Sequence, residues 1–295
     1  MNHTNQNKEK KSVARNSVFA AIFLTLSKFI VGIITGSIGI LSEALHSGLD
    51  LVAAAITYFS VRISDKPADN QHNFGHGKIE NLSALIETIL LFVTCVWIIY
   101  EATSRLLSGN FEIDVSIWAY IVVISSILID LWRSSALSKA AKKFDSQALE
   151  ADALHFSTDI WSSFVVLIGL ISYQFGFQYA DSIAALIVAI IVISVSYRLG
   201  KRAINVLIDA KPDDKYSIVI DILSKSYKIN GFKNLRMRSA GAYVFVEVDI
   251  LLNQNLTLEL AHTISHEIED TIISNIPNAN VHIHIEPIIN QRVTN

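Results

Sequence analysis

A bundle of six membrane-spanning helices followed by a small α+β domain is the fold class this sequence predicts, on three observations. Hydrophobic residues make up 51% of the 295 positions and charged residues only 17%, against roughly 25% charged in an ordinary soluble domain. Mean hydropathy is +0.41 although the last third reads as soluble sequence, so the apolar excess is concentrated in the first two thirds. Six segments there satisfy the need of a membrane helix for about 20 mostly apolar residues.

Taken in order, the predicted spans cover 12–34, 40–63, 79–102, 115–137, 147–173 and 182–208. Residues 1–11 form a polar tail with no apolar stretch ending in a small-residue cleavage site, so the first span reads as a retained helix. Basic residues gather at alternate ends. Lys8, Lys10, Lys11 and Arg15 open the first span; Arg62, Lys66 and Lys78 lie between the second and third; Arg133, Lys139, Lys142 and Lys143 between the fourth and fifth; Arg198, Lys201, Arg202 and Lys211 at the end of the sixth. The other three connections offer only Arg105. Because basic residues favour the cytoplasmic side, both termini are expected in the cytoplasm of a multi-pass protein embedded in the lipid bilayer.

From 209 to 290 the texture becomes soluble. An amphipathic helix is predicted over 217–227, strands over 234–238 and 243–252, a helix over 257–274 and a strand over 281–286. The second strand alternates, with Val244, Val246 and Val248 on one face and Phe245, Glu247 and Asp249 on the other. The order α-β-β-α-β predicts a small open-faced sandwich of metallochaperone-like form, with helices on one side of a sheet. The net charge of -3 gives no ground for a nucleic-acid partner. The one cysteine, Cys95, lies in an apolar run and excludes an intramolecular disulfide.

Ionisable residues deep in a span are costly and mark functional sites. The second span reads Ala-Leu-His-x-x-x-Asp with His46 and Asp50, and the fifth repeats the pattern with His155 and Asp159. The i,i+4 spacing puts each His and Asp on one helical face. Both aspartates fall about 15–18 Å along their spans, near the middle of a core about 30 Å thick. The two spans run in opposite directions, so the pairs can meet at one level and offer two imidazoles and two carboxylates, a set suited to tetrahedral zinc. A single pair would be as well explained by a helix-bracing hydrogen bond; the repetition favours a metal. The loop after the second span carries Asp69, His72 and His76, a polar loop by itself that either binds metal or is simply solvated. No His-Glu-x-x-His occurs, and His266-Glu267 lacks the second histidine, so a metallopeptidase is not indicated.

Together the doubled motif, the loop and the tail pattern resemble the cation diffusion facilitator family over nearly the whole chain. The resemblance implies a non-enzymatic homodimer that exports a divalent metal, Zn2+ or a similar ion, in exchange for protons by alternating access. It implies a transport site at His46, Asp50, His155 and Asp159, and a cytoplasm-facing second site at Asp69, His72 and His76. In the tail it implies metal ligands at Asp249, His262, His284 and Glu286 that join two copies. This chain departs from some relatives there, with Lys233 and Asp249 standing where a histidine can be a ligand. His282 shares a strand face with His284 and is a further candidate ligand. His266 lies one turn from His262 and reads equally well as an ordinary surface residue. Lys78 and Asp209 match a charge pair that in relatives ties the third and sixth spans; the plain alternative is a snorkelling lysine and a solvated aspartate. A membrane-bound metal sensor without transport is the competing reading.

Overall fold

The computed structural model describes residues 3–36, 38–108, 117–174 and 180–288, and the chain divides into two compact units, Met1–Ile204 and Asn205–Asn295. The first unit is built from helices α1 (His3–Thr35), α2 (Ile38–Ser64), α3 (Lys78–Ser108), α4 (Ile117–Phe144), α5 (Gln147–Gln174) and most of α6 (Ala180–Leu207). Among the described residues four stretches are long and apolar enough to cross a membrane, namely Lys8–Ile34, Ala44–Ser64, Lys78–Ser108 and Tyr120–Phe144. Helices α5 and α6 are 28 residues each.

The bundle is inverted relative to a soluble protein. Phe19, Phe23, Ile34, Leu128, Ile187 and Ile191 are exposed on its outside. Asp50, Glu80, Glu87, Asp130, Arg133, Asp152, His155 and Asp159 are buried within it. Lipid solvates the former at no cost, whereas the latter must find partners inside. One packed cluster joins Ala14 and Ala21 of α1, Ala54 and Val61 of α2, Leu137 of α4, and Leu149 and Phe156 of α5. Two smaller clusters hold α3 and α6: Ala84, Ala151, Leu199 and Ala203 in one, Leu91, Cys95 and Val192 in the other. A Cβ placed on Gly200 would sit 3.0 Å from Thr88 Cγ2, so the absence of a side chain there allows α6 to approach α3.

Helix α1 starts well before the predicted 12. No glycine or proline interrupts residues 3–11, and Lys10 is buried through an ion pair to Glu80 and a 3.6 Å contact with Asp65. Lys10 and Arg133, counted above among the flanking charges, are therefore interior groups. Arg133 Nη1 donates to Asp130 at 3.2 Å and Nη2 to Ser17 at 3.2 Å. Its guanidinium lies 3.4 Å from the centre of the Phe156 ring. The i,i+3 geometry of Asp130 and Arg133 is legible from spacing; the partners from α1 and α5 are not.

The tail contains α7 (Asp213–Lys225), β1 (Gly231–Ala240), β2 (Tyr243–Leu252), α8 (Leu258–Asn275) and β3 (Ala279–Pro287). Helix α7 begins directly after Pro212, earlier than predicted, with Asp213 and Asp214 in its first turn, where acids complement the helix dipole. Thr257 caps α8 by accepting from the Leu260 amide at 3.3 Å. The sheet order is β1-β2-β3, with β1 antiparallel and β3 parallel to β2. Val244, Val246, Val248, Ile250 and Leu252 are at most 2% exposed and pack on Val219, Leu223, Ile268 and Ile272 of the helices. The opposite face carries Lys233, Glu247, Asp249, His282 and His284 in register. Strand β1 extends beyond its predicted limits at both ends and carries a bulge between Lys233 and Arg236; Asn234 sits there at φ 53, a conformation Asn tolerates.

Truncating Ile250, which is fully buried, to alanine should cost about 2–5 kcal/mol of tail stability. Hydrogen exchange across β1–β3 in the full-length protein measures it; a loss under about 1 kcal/mol would show that this strand is not the core of the tail.

Candidate metal centre

The middles of α2 and α5 each carry one copy of the repeated motif, and the structure brings all four side chains together. His46 Nε2 is 4.0 Å from Asp50 Oδ1 and 3.7 Å from Asp159 Oδ1. His155 Nε2 is 3.1 Å from Asp50 Oδ1 and 3.8 Å from Asp159 Oδ2. Ligand atoms of His46, Asp50 and Asp159 all lie within 4.8 Å of one another. Asp50, His155 and Asp159 are 8%, 5% and 9% exposed, while the His46 side chain is 35% exposed and open on one side. Asp159 Oδ2 is buried without a hydrogen-bond partner. Leaving such an oxygen unsatisfied is costly, and a cation held among the four groups would satisfy it. Each helix contributes one pair by its own i,i+4 geometry; the pairs then cross-link, His155 to Asp50 and His46 to Asp159.

The second cluster sits in the connection between α2 and α3. Asp69 Oδ1 accepts from the amides of Gln71 at 2.9 Å and His72 at 2.7 Å, an Asx turn that fixes its carboxylate. His72 Nδ1 and His76 Nε2 each lie 3.4 Å from an Asp69 oxygen, and the two rings are 4.5 Å apart. Gly75, at φ 77, turns the chain so that His76 returns to Asp69. All three ligand atoms fall within 4.8 Å, and three ligands leave a coordination position open. The hydrogen bond from the His72 amide is the main cause holding the Asp69 carboxyl below its usual range.

The tail residues are arranged differently. On the open face Asp249 stands opposite Lys233 on one side and His284 on the other. Its Oδ2 already accepts from Asn234 Nδ2 at 2.6 Å. Glu286 lies 2.5 Å from Lys233 Nζ and 3.9 Å from His284 Nε2. The hydrogen bond to the Glu286 carboxylate raises the Lys233 pKa above its usual value. His282 faces Glu247 one register step away. His262 lies on α8, its ring 4.4 Å from that of His266. Among the described residues no three metal-ligating atoms of the tail come within 4.8 Å of one another. Lys78 opens α3 in the first unit; Asp209, at φ 63 in the second, lies 3.7 Å from Arg238 Nη1.

Sequence reasoning picked out Glu87 and Asp130 without giving them a transport role, and missed the rest of the polar framework around the central cluster. Asp152, one turn before His155, accepts from Ser17 at 3.4 Å. Glu87 accepts from Thr57 and, at 3.2 Å, from Ser83. Glu80 joins Lys10, Ser64 and Ser146. The available signal was the same as for the central pairs, an acid where lipid-facing sequence should be apolar, but without a repeat to pick it out.

A bundle with an apolar exterior and imidazoles and carboxylates meeting at mid-helix, followed by an α+β tail, defines a multi-pass membrane protein with metal-ligand side chains gathered in its interior. The family model described as the cation efflux transmembrane domain matches residues 15–208, and that described as the cation efflux protein cytoplasmic domain matches residues 212–288. The chain thus belongs to the cation diffusion facilitator family of cation-efflux transporters. It is 30% identical over 281 residues to the cation-efflux pump FieF of Serratia proteamaculans (strain 568), covering 94% of this chain and 92% of that one. It is 29% identical to the protein of that name from Citrobacter koseri, covering 97% and 95%. A solved chain of CzrB matches 26% of this chain and 98% of its own at 22% identity with a TM-score of 0.26, which adds nothing to the assignment.

The Asp69 turn gives a pH prediction. Because the folded-state pKa is depressed, the stabilisation from its two amide bonds is fully present above the ordinary carboxylate pKa and is lost as pH falls through the lower folded value. A carboxyl carbon titration of Asp69 by NMR in the full-length protein should therefore show a midpoint below that of an unstructured Asp peptide. A midpoint at or above the peptide's would remove the turn from the account.

Proposed function

We propose that the chain exports a divalent transition-metal cation, with zinc the best fit, in exchange for protons. The observation that carries this reading is the convergence of His46, Asp50, His155 and Asp159 at mid-helix around a buried, unpartnered Asp159 oxygen. Two imidazole nitrogens and two carboxylate oxygens suit tetrahedral zinc better than the octahedral all-oxygen sites of magnesium or manganese. Imidazoles bind metal only when neutral and carboxylates only when ionised, so protons and metal compete for the same atoms. Protonation from outside releases the ion; deprotonation on the cytoplasmic side recaptures it. The name shared by the full-length relatives, cation-efflux pump, supports transport over sensing or catalysis.

The rest of the proposal follows from that centre. Residues 12–208 form six spans in a cell membrane, with α5 and α6 completing the four strongly apolar helices, and with the 1–11 tail and both termini in the cytoplasm. Asp69, His72 and His76 form a lower-affinity cytoplasmic site that feeds the centre. Residues 209–290 regulate and dimerise the carrier, with Asp249, His282, His284 and Glu286 on the open sheet face, His262 on α8, and Lys78 and Asp209 as a brace.

Zinc uptake into sealed proteoliposomes under an imposed pH gradient tests the reading. The native chain should accumulate zinc only with the gradient, and Asp159→Ala should fall to the level of empty vesicles. Zinc binding without flux at either sign of the gradient would turn the assignment to a sensor. Asp69→Ala should raise the zinc concentration needed for half-maximal flux while leaving the maximum intact; unchanged zinc dependence would remove the loop from the route.

A further inference from the structure

A permanent cation lies close behind the central cluster, and the transport reading leaves it without a task. The Arg133 side chain is only 1% exposed, and a guanidinium keeps its charge inside a protein. Its carbon lies 3.4 Å from the centre of the Phe156 ring. That ring centre lies 5.4 Å from the ring of the adjacent His155. The two separations put the guanidinium within about 9 Å of the His155 imidazole. Arg133 reaches α5 by a second path as well. Ser17 accepts from Nη2 at 3.2 Å and donates at 3.4 Å to Asp152, one turn before His155. The charge is incompletely neutralised. Asp130 takes a single hydrogen bond from Nη1 at 3.2 Å, without the two-bond fork that arginine and carboxylate can form. Ser17 supplies a neutral hydroxyl, and Nε is buried without a partner. Bonds of this kind between helices can be made by a neutral amide at far lower desolvation cost. A positive charge left over where water is excluded also acts further than one at the surface.

We propose that Arg133 is a fixed cation that sets how tightly the central site holds its transported dication. The inference rests on the transport reading of His46, Asp50, His155 and Asp159. While the site is empty and its carboxylates are ionised, the guanidinium and the centre attract each other. Once a dication is seated, the same guanidinium repels it across a dry gap. The empty state is favoured and the loaded state disfavoured, so the ion is held less tightly and leaves sooner. A permeating ion must be bound well enough to enter and weakly enough to leave, and a charge that never titrates supplies that weakening at every pH. Arg133 touches neither the ion nor its ligands and acts through its field alone.

Zinc flux into proteoliposomes under the pH gradient, followed across zinc concentrations, separates affinity from rate. Arg133→Gln should lower the zinc concentration for half-maximal flux by at least about fivefold and reduce the maximal rate with it. Removing the guanidinium alone leaves Asp130 unpaired, so Asp130→Asn/Arg133→Gln is also compared with Asp130→Asn, and the same lowering is expected there. Arg133→Lys keeps the charge but loses the planar shape and the stacking on Phe156; its half-saturation should stay close to the native one, which a purely bracing arginine does not predict. A half-saturation unchanged or raised in both backgrounds would overturn the proposal and leave Arg133 as a brace. So would a lysine variant that behaves like the glutamine one, or failure of every Arg133 variant to insert and fold. Absence of gradient-driven flux in the native chain would remove the transport reading and this proposal with it, an outcome distinct from normal native flux with unshifted variants.

Discussion

The cost of holding charge in a hydrocarbon layer organises everything in the first unit. A helix bundle that carries so many buried acids and bases persists only if each finds a partner inside. Arg133 is the fullest example: it reaches Asp130 on its own helix, Ser17 on α1 and the face of Phe156 on α5. At one end of the bundle Lys10 on α1 pairs with Glu80 on α3 and Asp65 just after α2. These contacts fix where α2 and α5 lie, and with them the height and facing of the two motif copies.

Within that frame the central cluster stands out by the length of its contacts, at 3.7–4.0 Å for three of the four. Breaking one partner out of a buried charge pair is strongly destabilising, so the framework groups suit a permanent structural role. The four central groups make longer contacts and leave Asp159 Oδ2 unmatched. A carrier needs ligands that accept a dication or protons in turn, and groups already saturated by neighbours would hold neither.

Much of this arrangement was legible in the sequence, for reasons that can be named. The 20-residue apolar runs, the Ala-Leu-His-x-x-x-Asp repeat and the alternation of Val244, Val246 and Val248 are local patterns, and local patterns fix local structure. The loop geometry of Asp69, His72 and His76 also follows from close spacing and one glycine. What stayed hidden depends on chain segments far apart: Lys10 meeting Glu80, Arg133 meeting Ser17, and Gln147 meeting Asn81 at 2.9 Å. The Asn234 bulge escaped because strand alternation gives no warning of an inserted residue.

The packing clusters carry one further consequence. Helices α1, α2, α4 and α5 share a single core in which Val61, Leu137, Leu149 and Phe156 are set among alanines. Where α3, α5 and α6 meet, a smaller cluster packs Ala84, Ala151 and Ala203 with Leu199, and the bare backbone of Gly200 faces Thr88. The smaller cluster has fewer side chains to disengage, so a displacement along it forfeits fewer dispersion contacts than one through the larger core. The boundary between α3–α6 and the other four helices is therefore the more weakly interlocked one in the bundle.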